Sequence, residues 1–345
     1  MNMKRPSLLV TTSPFVTAGE DTASIMWQVN YALMPAVLAA TWYFGISALL
    51  IVAACVAGTV LPEWLAHRKE RAGATTLRDG SALLTGILLA LTLPPGIPLW
   101  MAFVGGVISI VLGKLIFGGI GFNVFNPALV GRAFLQAAFP GALTTWVPHS
   151  YSGGFWTLPG NTLTIPFLKP GVNAVTAATP LAQMKFESTL TGFADLLLGS
   201  TAGALGETSA VALLLGGLYL GMRNIVGWRI PGSIFATVFI FASVLHWVNP
   251  VKYPPGWFHL FAGGMVLGAV FMATDMVTSP LTKKGCLLFG FGIGFIAIVI
   301  RVFGGLPEGV MYSILLMNAM VPLINKATQP RVYGTQKRKK MSTGS

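Results

Sequence analysis

Apolar runs that approach bilayer-spanning length, cut at intervals by proline, constrain this chain more than any other feature. A bilayer core about 30 Å thick takes about 20 helical residues to cross. Ten segments read as candidate spans: 28–44, 46–66, 81–93, 98–117, 126–139, 209–222, 231–247, 260–275, 286–303 and 309–326. Several are short. The third stops at Pro94-Pro95-Gly96-Ile97-Pro98 and the fifth starts at Asn126-Pro127. Proline has no N–H to give a helix ladder, so these are natural break points. Lipid tolerates broken helices only where protein or a cavity satisfies the freed backbone groups, and such breaks accompany binding or conduction. The alternative is that they are ordinary helix ends. Charge agrees with the membrane reading: only 9% of residues are Asp, Glu, Lys or Arg, against about 25% in a soluble domain. That excludes a soluble enzyme, a disordered chain and a nucleic-acid module. The predicted fold class is an all-α polytopic membrane protein.

The net charge of +12 then becomes a topological signal. With Lys4 and Arg5 placed in the cytoplasm, alternate counting puts 17 of the 22 cations on that side, including Arg68, Lys114, Arg229, Lys283 and the tail from Lys326 to Lys340. Lys169, Lys185, Lys252 and Arg301 fall outside, and Arg132 lies within a span. This asymmetry follows the positive-inside rule. It predicts a multi-pass protein of the cell inner (cytoplasmic) membrane with both termini cytoplasmic. The tail Lys337-Arg338-Lys339-Lys340 would lie against anionic lipid headgroups. The first 24 residues are too polar for a cleaved signal peptide, so the first span is expected to stay as an anchor.

The two halves resemble each other. Lys114-Leu-Ile-Phe-Gly-Gly precedes the fifth span, and Arg301-Val-Phe-Gly-Gly precedes the tenth. Upstream, Ser81-Ala-Leu-Leu-Thr-Gly parallels Gly263-Gly-Met-Val-Leu-Gly. An odd number of spans per copy turns the second copy over in the membrane. The expected architecture is about ten transmembrane helices arranged as two inverted five-helix repeats, a plan common among transport proteins. The rival explanation is chance likeness between Gly-rich apolar segments. The predicted divisions are an N-terminal repeat at 1–139, a non-cytoplasmic loop at 140–208, a C-terminal repeat at 209–326 and a basic tail at 327–345. A loop that long is usually functional or disordered; it carries one helical patch near 186–198.

The inventory of reactive groups is thin. Cys55 and Cys286 are far apart, and His67, His149, His246 and His259 lack metal-ligand spacing. No catalytic residue and no metal site is expected. Gly118-Gly119-Ile-Gly121 follows no strand, so it serves close helix packing rather than phosphate binding. Ionisable groups at membrane depth are costly and mark function by default. Arg132 lies within a span; Glu63, Asp79 and Asp275 lie near predicted boundaries, within reach of water. For Glu63 a boundary residue is the simpler reading. Asp275, flanked by Thr274 and Thr278 at the repeat interface, is the ion-pathway candidate. In the loop, Asn173-Ala-Val-Thr176-Ala-Ala-Thr179-Pro180 places threonines in extended backbone before proline.

Many motifs in one order resemble a known family. They are Ser13-Pro14, Leu77-Arg-Asp-Gly-Ser-Ala-Leu-Leu-Thr-Gly86, Gly118-Gly-Ile-Gly-Phe-Asn-Val-Phe-Asn-Pro-Ala128, Ala178-Thr-Pro-Leu181, Ala273-Thr-Asp275, Arg301-Val-Phe-Gly-Gly305 and Pro330-Arg-Val-Tyr-Gly334. The chain is similar, nearly end to end, to the D subunits of Rnf electron-transport complexes, and more distantly to the B subunits of sodium-pumping NADH:quinone oxidoreductases. The resemblance implies ten helices in two inverted repeats. It also implies FMN attached covalently, through its phosphate, to a threonine in a pattern like Asp-Gly-x-Ser/Thr-Gly/x-Ala-Thr, by a dedicated flavin transferase. The matching hydroxyl is Thr179, with Thr176 behind it. Asn173 stands where the pattern has an acid, and Ala174 and Ala177 also depart from it. The resemblance to the sodium-pump subunits further implies a non-covalent riboflavin between helices, which no motif here places on particular residues.

The resemblance therefore implies a flavin-carrying membrane subunit of a complex that couples ferredoxin/NADH-type electron transfer to translocation of sodium ions or protons. Its partners would be the A, B, C, E and G subunits, with the flavin loop on the outer side. The redox chemistry would belong to the cofactor. Two rivals fit the same architecture: a flavin-free channel or secondary transporter, and a scaffold without a cofactor.

Overall fold

A computed structural model describes residues 21–68, 78–147, 155–159, 161–166, 177–207, 209–250 and 252–330. Lys4, Arg5, Lys69, Arg71, His149, Lys169, Asn173, Thr176 and the tail Lys337 to Lys340 lie outside them, as does most of the flanking Ser13-Pro14 and Arg331–Gly334 motifs.

Among the described residues the regular elements are helices, apart from a single antiparallel bridge between Trp146 and Ala177. Helix α1 spans Thr22–Phe44, capped by Asp21, whose Oδ1 accepts the Ser24 N–H at 2.7 Å. Helix α2 spans Ile46–His67. Helix α3 (Ser81–Leu91) ends three residues before Pro94-Pro95, and α4 (Leu99–Ile110) begins directly after Pro98. A π turn continues α4 through Val111–Leu115. Helix α5 (Pro127–Ala138) has proline at its first position and Asn126 as its cap, where proline's missing donor costs nothing. Three short helices follow in the loop: α6 (Pro140–Leu143), α7 (Pro180–Ala182) and α8 (Phe193–Leu198). The second half holds α9 (Ala210–Met222), α10 (Arg229–Val248), α11 (Gly256–Phe261), α12 (Met265–Leu267) with a π turn at Gly268–Met272, α13 (Lys283–Phe303) and α14 (Val310–Thr328).

This corrects the expected spans in three places. Only α1, α2, α10, α13 and α14 reach membrane-crossing length among the described residues. Helix α5, at 12 residues, rises about 18 Å and cannot cross alone. The eighth segment, read as one helix over 260–275, is two pieces separated at Ala262-Gly263-Gly264. There Gly263 has φ +68°, open to glycine and strained for other residues. The helical patch expected near 186–198 is split into a π turn at Gln183–Glu187 and α8, and α6 and α7 are further short helices of the loop. Proline alone does not decide a break: Pro35, Pro62 and Pro322 lie inside α1, α2 and α14.

Packing recurs between the halves. Helix α2 packs on α4 as α10 does on α13, and α4 on α5 as α13 does on α14. The halves meet through α1 against α9 and α5 against α14. One apolar core, including Leu33, Ile51, Leu89, Ile234, Phe289 and Ile314, runs through both. Large apolar side chains such as Leu38, Ile240, Phe295 and Leu323 stay exposed on the outer helix faces, as a lipid-facing surface requires. This is a multi-pass membrane protein.

Candidate functional site

Polar groups gather at the broken helices. The first cluster surrounds Asp275, just beyond the π turn that ends α12. Its Oδ1 accepts the Val277 N–H and its Oδ2 the Thr278 hydroxyl, each at 3.3 Å. With the Asn318 amide of α14 turned so that its oxygen meets a donor and its nitrogen an acceptor, it donates to the Thr278 carbonyl at 3.3 Å and accepts the Asn126 N–H at 3.2 Å. Asn126 caps α5 through Ala128 N–H at 3.1 Å and donates to the Met272 carbonyl at 3.2 Å. A continuous polar chain therefore ties Asp275 to the start of α5 and to the end of the π turn after α12, satisfying backbone groups that the breaks expose. Asp275 also lines a cleft of about 790 Å³ with Ser81, Thr85, Lys114, Asn123 and Asn126 among mostly apolar side chains.

Beside this cleft, Lys114 Nζ donates to Glu63 Oε1 and to Ser81 Oγ, both at 2.7 Å. Glu63 is 0% exposed. The expectation that water reaches it fails, because the π turn of α4 folds Lys114 back against α2. Asp79 keeps its expected place before α3, where its Oδ1 accepts the Ser81 N–H at 2.8 Å.

The matched cation of the second half does a related job at the opposite end. Arg301 donates to the carbonyls of His259 at 2.6 Å and Ala262 at 2.9 Å, which end α11 at the break. So Lys114 holds the start of α3, and Arg301 holds the approach to α12. Gly80 and Gly263, just ahead of those two helices, both have positive φ.

Thr179 lies at that same end. It caps α7, and its Oγ1 accepts the Ala182 N–H at 3.3 Å. Ala177 donates to the Trp146 carbonyl at 2.8 Å, fixing the chain just upstream. Leu181 and Met184 then pack with Leu196, Phe258 and Ala262. An adjoining cleft of about 490 Å³ carries Lys185, Lys252, Arg301, Tyr253 and Phe258. Lys185 bridges to the carbonyls of Arg301, Gly304 and Leu306 at the end of α13, and burial pulls its ammonium below the ordinary lysine range. Cations and aromatic faces suit a flavin phosphate and ring. Thr179 itself is only 2% exposed, so esterification of its hydroxyl requires the turn at α7 to open. An ester oxygen can still accept the Ala182 N–H.

Thr179 and Asp275 do not form one site. Thr179 neighbours the N-terminal end of α12, where Leu181 abuts Gly263. Asp275 follows its C-terminal end, about 15 Å further along at 1.5 Å per residue. His246 Nδ1 donates to the Tyr253 carbonyl at 2.7 Å and His259 is buried in α11. Among the described residues no group of His, Cys, Asp and Glu has metal-binding geometry. Sequence reasoning missed the Glu63–Lys114 pair, the Asn126–Asn318 link, and Glu207 and Glu308. Arg132 meets Glu308 at 3.6 Å. The only signal for the first was the likeness of Lys114 to Arg301.

Comparison with known proteins gives a consistent result. The family described as NQR2, RnfD, RnfE matches residues 9–334. The chain is 41% identical to the D subunit of the proton-translocating ferredoxin:NAD(+) oxidoreductase complex of Clostridium ljungdahlii, over 97% of this chain and 98% of that one. It is 42% identical to the D subunit of the Na(+)-translocating ferredoxin:NAD(+) oxidoreductase complex of Acetobacterium woodii, over 98% and 99%. It is also 42% identical to the D subunit of the ion-translocating oxidoreductase complex of Stutzerimonas stutzeri, over 92% and 93%.

Proposed function

The chain belongs to the NQR2, RnfD, RnfE family, and from that premise we propose that it is the D-type membrane subunit of an ion-translocating ferredoxin:NAD(+) oxidoreductase complex. In this reading it sits in the cell inner membrane with both termini cytoplasmic and other Rnf subunits as partners. Its two halves are inverted five-helix repeats. The paired roles of Lys114 and Arg301 at the two half-helix starts support the repeat. The observation that carries the transport reading is the polar chain from Asp275 through Asn318 and Asn126 to Met272, at the contact of the half-helices. Broken helices that meet between repeats are where transport proteins place their ion sites.

FMN is proposed on Thr179, and it would supply the electron-carrying chemistry. Lys185, Lys252 and Arg301 would balance the phosphate charge, and Tyr253 would flank the ring. The cleft beside Asn123, Asn126 and Asp275, largely apolar with a few amides, suits the riboflavin that the resemblance to sodium-pump subunits implies. Moving one charge against 100 mV costs about 2.3 kcal/mol, a modest demand on a redox step. The relatives' names include both protons and sodium ions, so the coupling ion is not fixed by membership.

Flavin fluorescence of the denatured polypeptide on a gel tests the cofactor. Co-expression with the flavin transferase is expected to give a fluorescent band that Thr179→Ala abolishes. A dark wild-type band favours a flavin-free channel, secondary transporter or scaffold. Asp275→Ala in the assembled complex is expected to impair ion translocation; unchanged pumping with unchanged electron transfer removes Asp275 from the pathway.

A further inference from the structure

A second cleft, mostly apolar but holding three charged side chains, opens at the far end of the same half-helices. It lies between the end of α3, the middle of α5, the break before α12 and the start of α14, and it holds Arg132, Glu207 and Glu308. None of the readings above uses these three residues. Glu207 comes from the 3-10 turn Leu205–Glu207, which the Leu205 N–H pins to the Leu93 carbonyl at 3.0 Å. One carboxylate oxygen accepts the Ala204 N–H at 3.2 Å. The other faces the helix break. It lies 3.9 Å and 3.7 Å from where side chains at Gly263 and Gly264 would begin, beside the break itself.

Glu207 and Glu308 line the same cavity, and burial, with the Glu308 carboxyl nearby, holds the Glu207 carboxyl well above the usual carboxylate range. Glu308 has one long ion pair, 3.6 Å to Arg132, and its other oxygen is buried without a partner. Arg132 is 6% exposed, and its second terminal nitrogen is likewise buried, unpartnered and on the cavity wall. Arg301 stands nearby but spends both terminal nitrogens on the carbonyls of His259 and Ala262. Tyr312 is the remaining ionisable neighbour, acting on Arg132. Two carboxylates cannot sit side by side in an enclosed site without a shared cation. A metal ion would face two permanent guanidinium charges and need several more oxygens. A proton needs neither space nor further ligands.

We propose that Glu207 and Glu308 form a proton-exchange site, Glu207 carrying the proton and Glu308 ionised against Arg132. Release breaks the O–H bond at Glu207 and forms one on Glu308 or on a water in the cavity, with no change of oxidation state. The site would be the outer station of the pathway read above. Its part in transport rests on that reading; its proton does not.

Infrared difference spectroscopy of the complex tests it. At neutral pH, a protonated-carboxyl C=O band is expected that shifts on labelling with [13C]glutamate and is lost in both Glu207→Gln and Glu308→Gln. If Glu207→Gln does not assemble, the isotope shift in the wild type and Glu308→Gln still decide. Absence of a glutamate-labelled band, or its persistence in both variants, overturns the proposal. So does its loss on adding sodium chloride at constant pH, which assigns the site to a metal ion. If the band behaves as expected while Glu207→Gln leaves translocation unimpaired, the proton site stands and the transport reading loses its outer station.

Discussion

Lys114 shows how a residue's meaning depends on its partner. Its ammonium is sandwiched between Glu63 and Ser81, and both charged groups are almost wholly removed from solvent. Removing one member leaves an uncompensated buried charge, which costs about 3–5 kcal/mol. Lys114→Met is therefore expected to lower the thermal unfolding midpoint in detergent sharply. The double change Lys114→Met with Glu63→Leu is expected to recover much of the loss. Equal loss in the double variant would mean that packing, not charge, dominates there. Asn126 is a second residue-scale case. Asn126→Ala removes a helix cap, worth about 1 kcal/mol, and also frees the Met272 carbonyl at the break. It is expected to increase backbone hydrogen exchange around Gly268–Met272, more than at α13. At this scale the sequence flagged Arg132 by its depth and Asp275 by its threonines and its place at the repeat interface, but read Glu63 as a boundary residue. Its partner lies 51 residues away, and neither depth nor spacing along one helix reveals a pairing across two.

Elements are set by close approach as much as by hydrophobicity. Helix α5 lies so near α4 that a methyl group at Gly131 would collide with the Ser109 hydroxyl and stand 2.6 Å from the Gly105 carbonyl. A backbone carbonyl cannot rotate away. Gly131→Ala is expected to destabilise the protein by about 1–3 kcal/mol through overpacking, read as a lower denaturation midpoint; no shift would show that α5 is free to move outward. Prolines at 94, 95, 98 and 127 were legible as stops because each meets a helix end or start. The break inside the eighth segment was not. Apolar composition continues across Ala262-Gly263-Gly264, and only the positive φ of Gly263, held by Arg301 on the flanking carbonyls, ends one piece and starts the next.

For the molecule as a whole, orientation is the most exposed prediction. Trp156 in the long loop and Met222 at the end of α9 are both strongly solvent- or lipid-exposed, whereas Cys55 is buried and Cys286 partly so. In a background with both cysteines changed to Ala, Trp156→Cys is expected to react with an impermeant thiol reagent in intact spheroplasts. Met222→Cys is expected to react only after permeabilisation; the reverse pattern inverts the topology. The sequence by itself determined that this chain must live in a membrane, because 9% charge cannot coat a soluble particle of this size. It also located the proline stops and, through motif order, the family. Tertiary structure alone decided that Glu63 is paired, that Thr179 is capped and buried, and that Asp275 and the Glu207–Glu308 pair lie at opposite ends of α12. The reason is physical. Hydropathy and proline act along the chain, whereas desolvation and ion pairing depend on neighbours that only folding brings together.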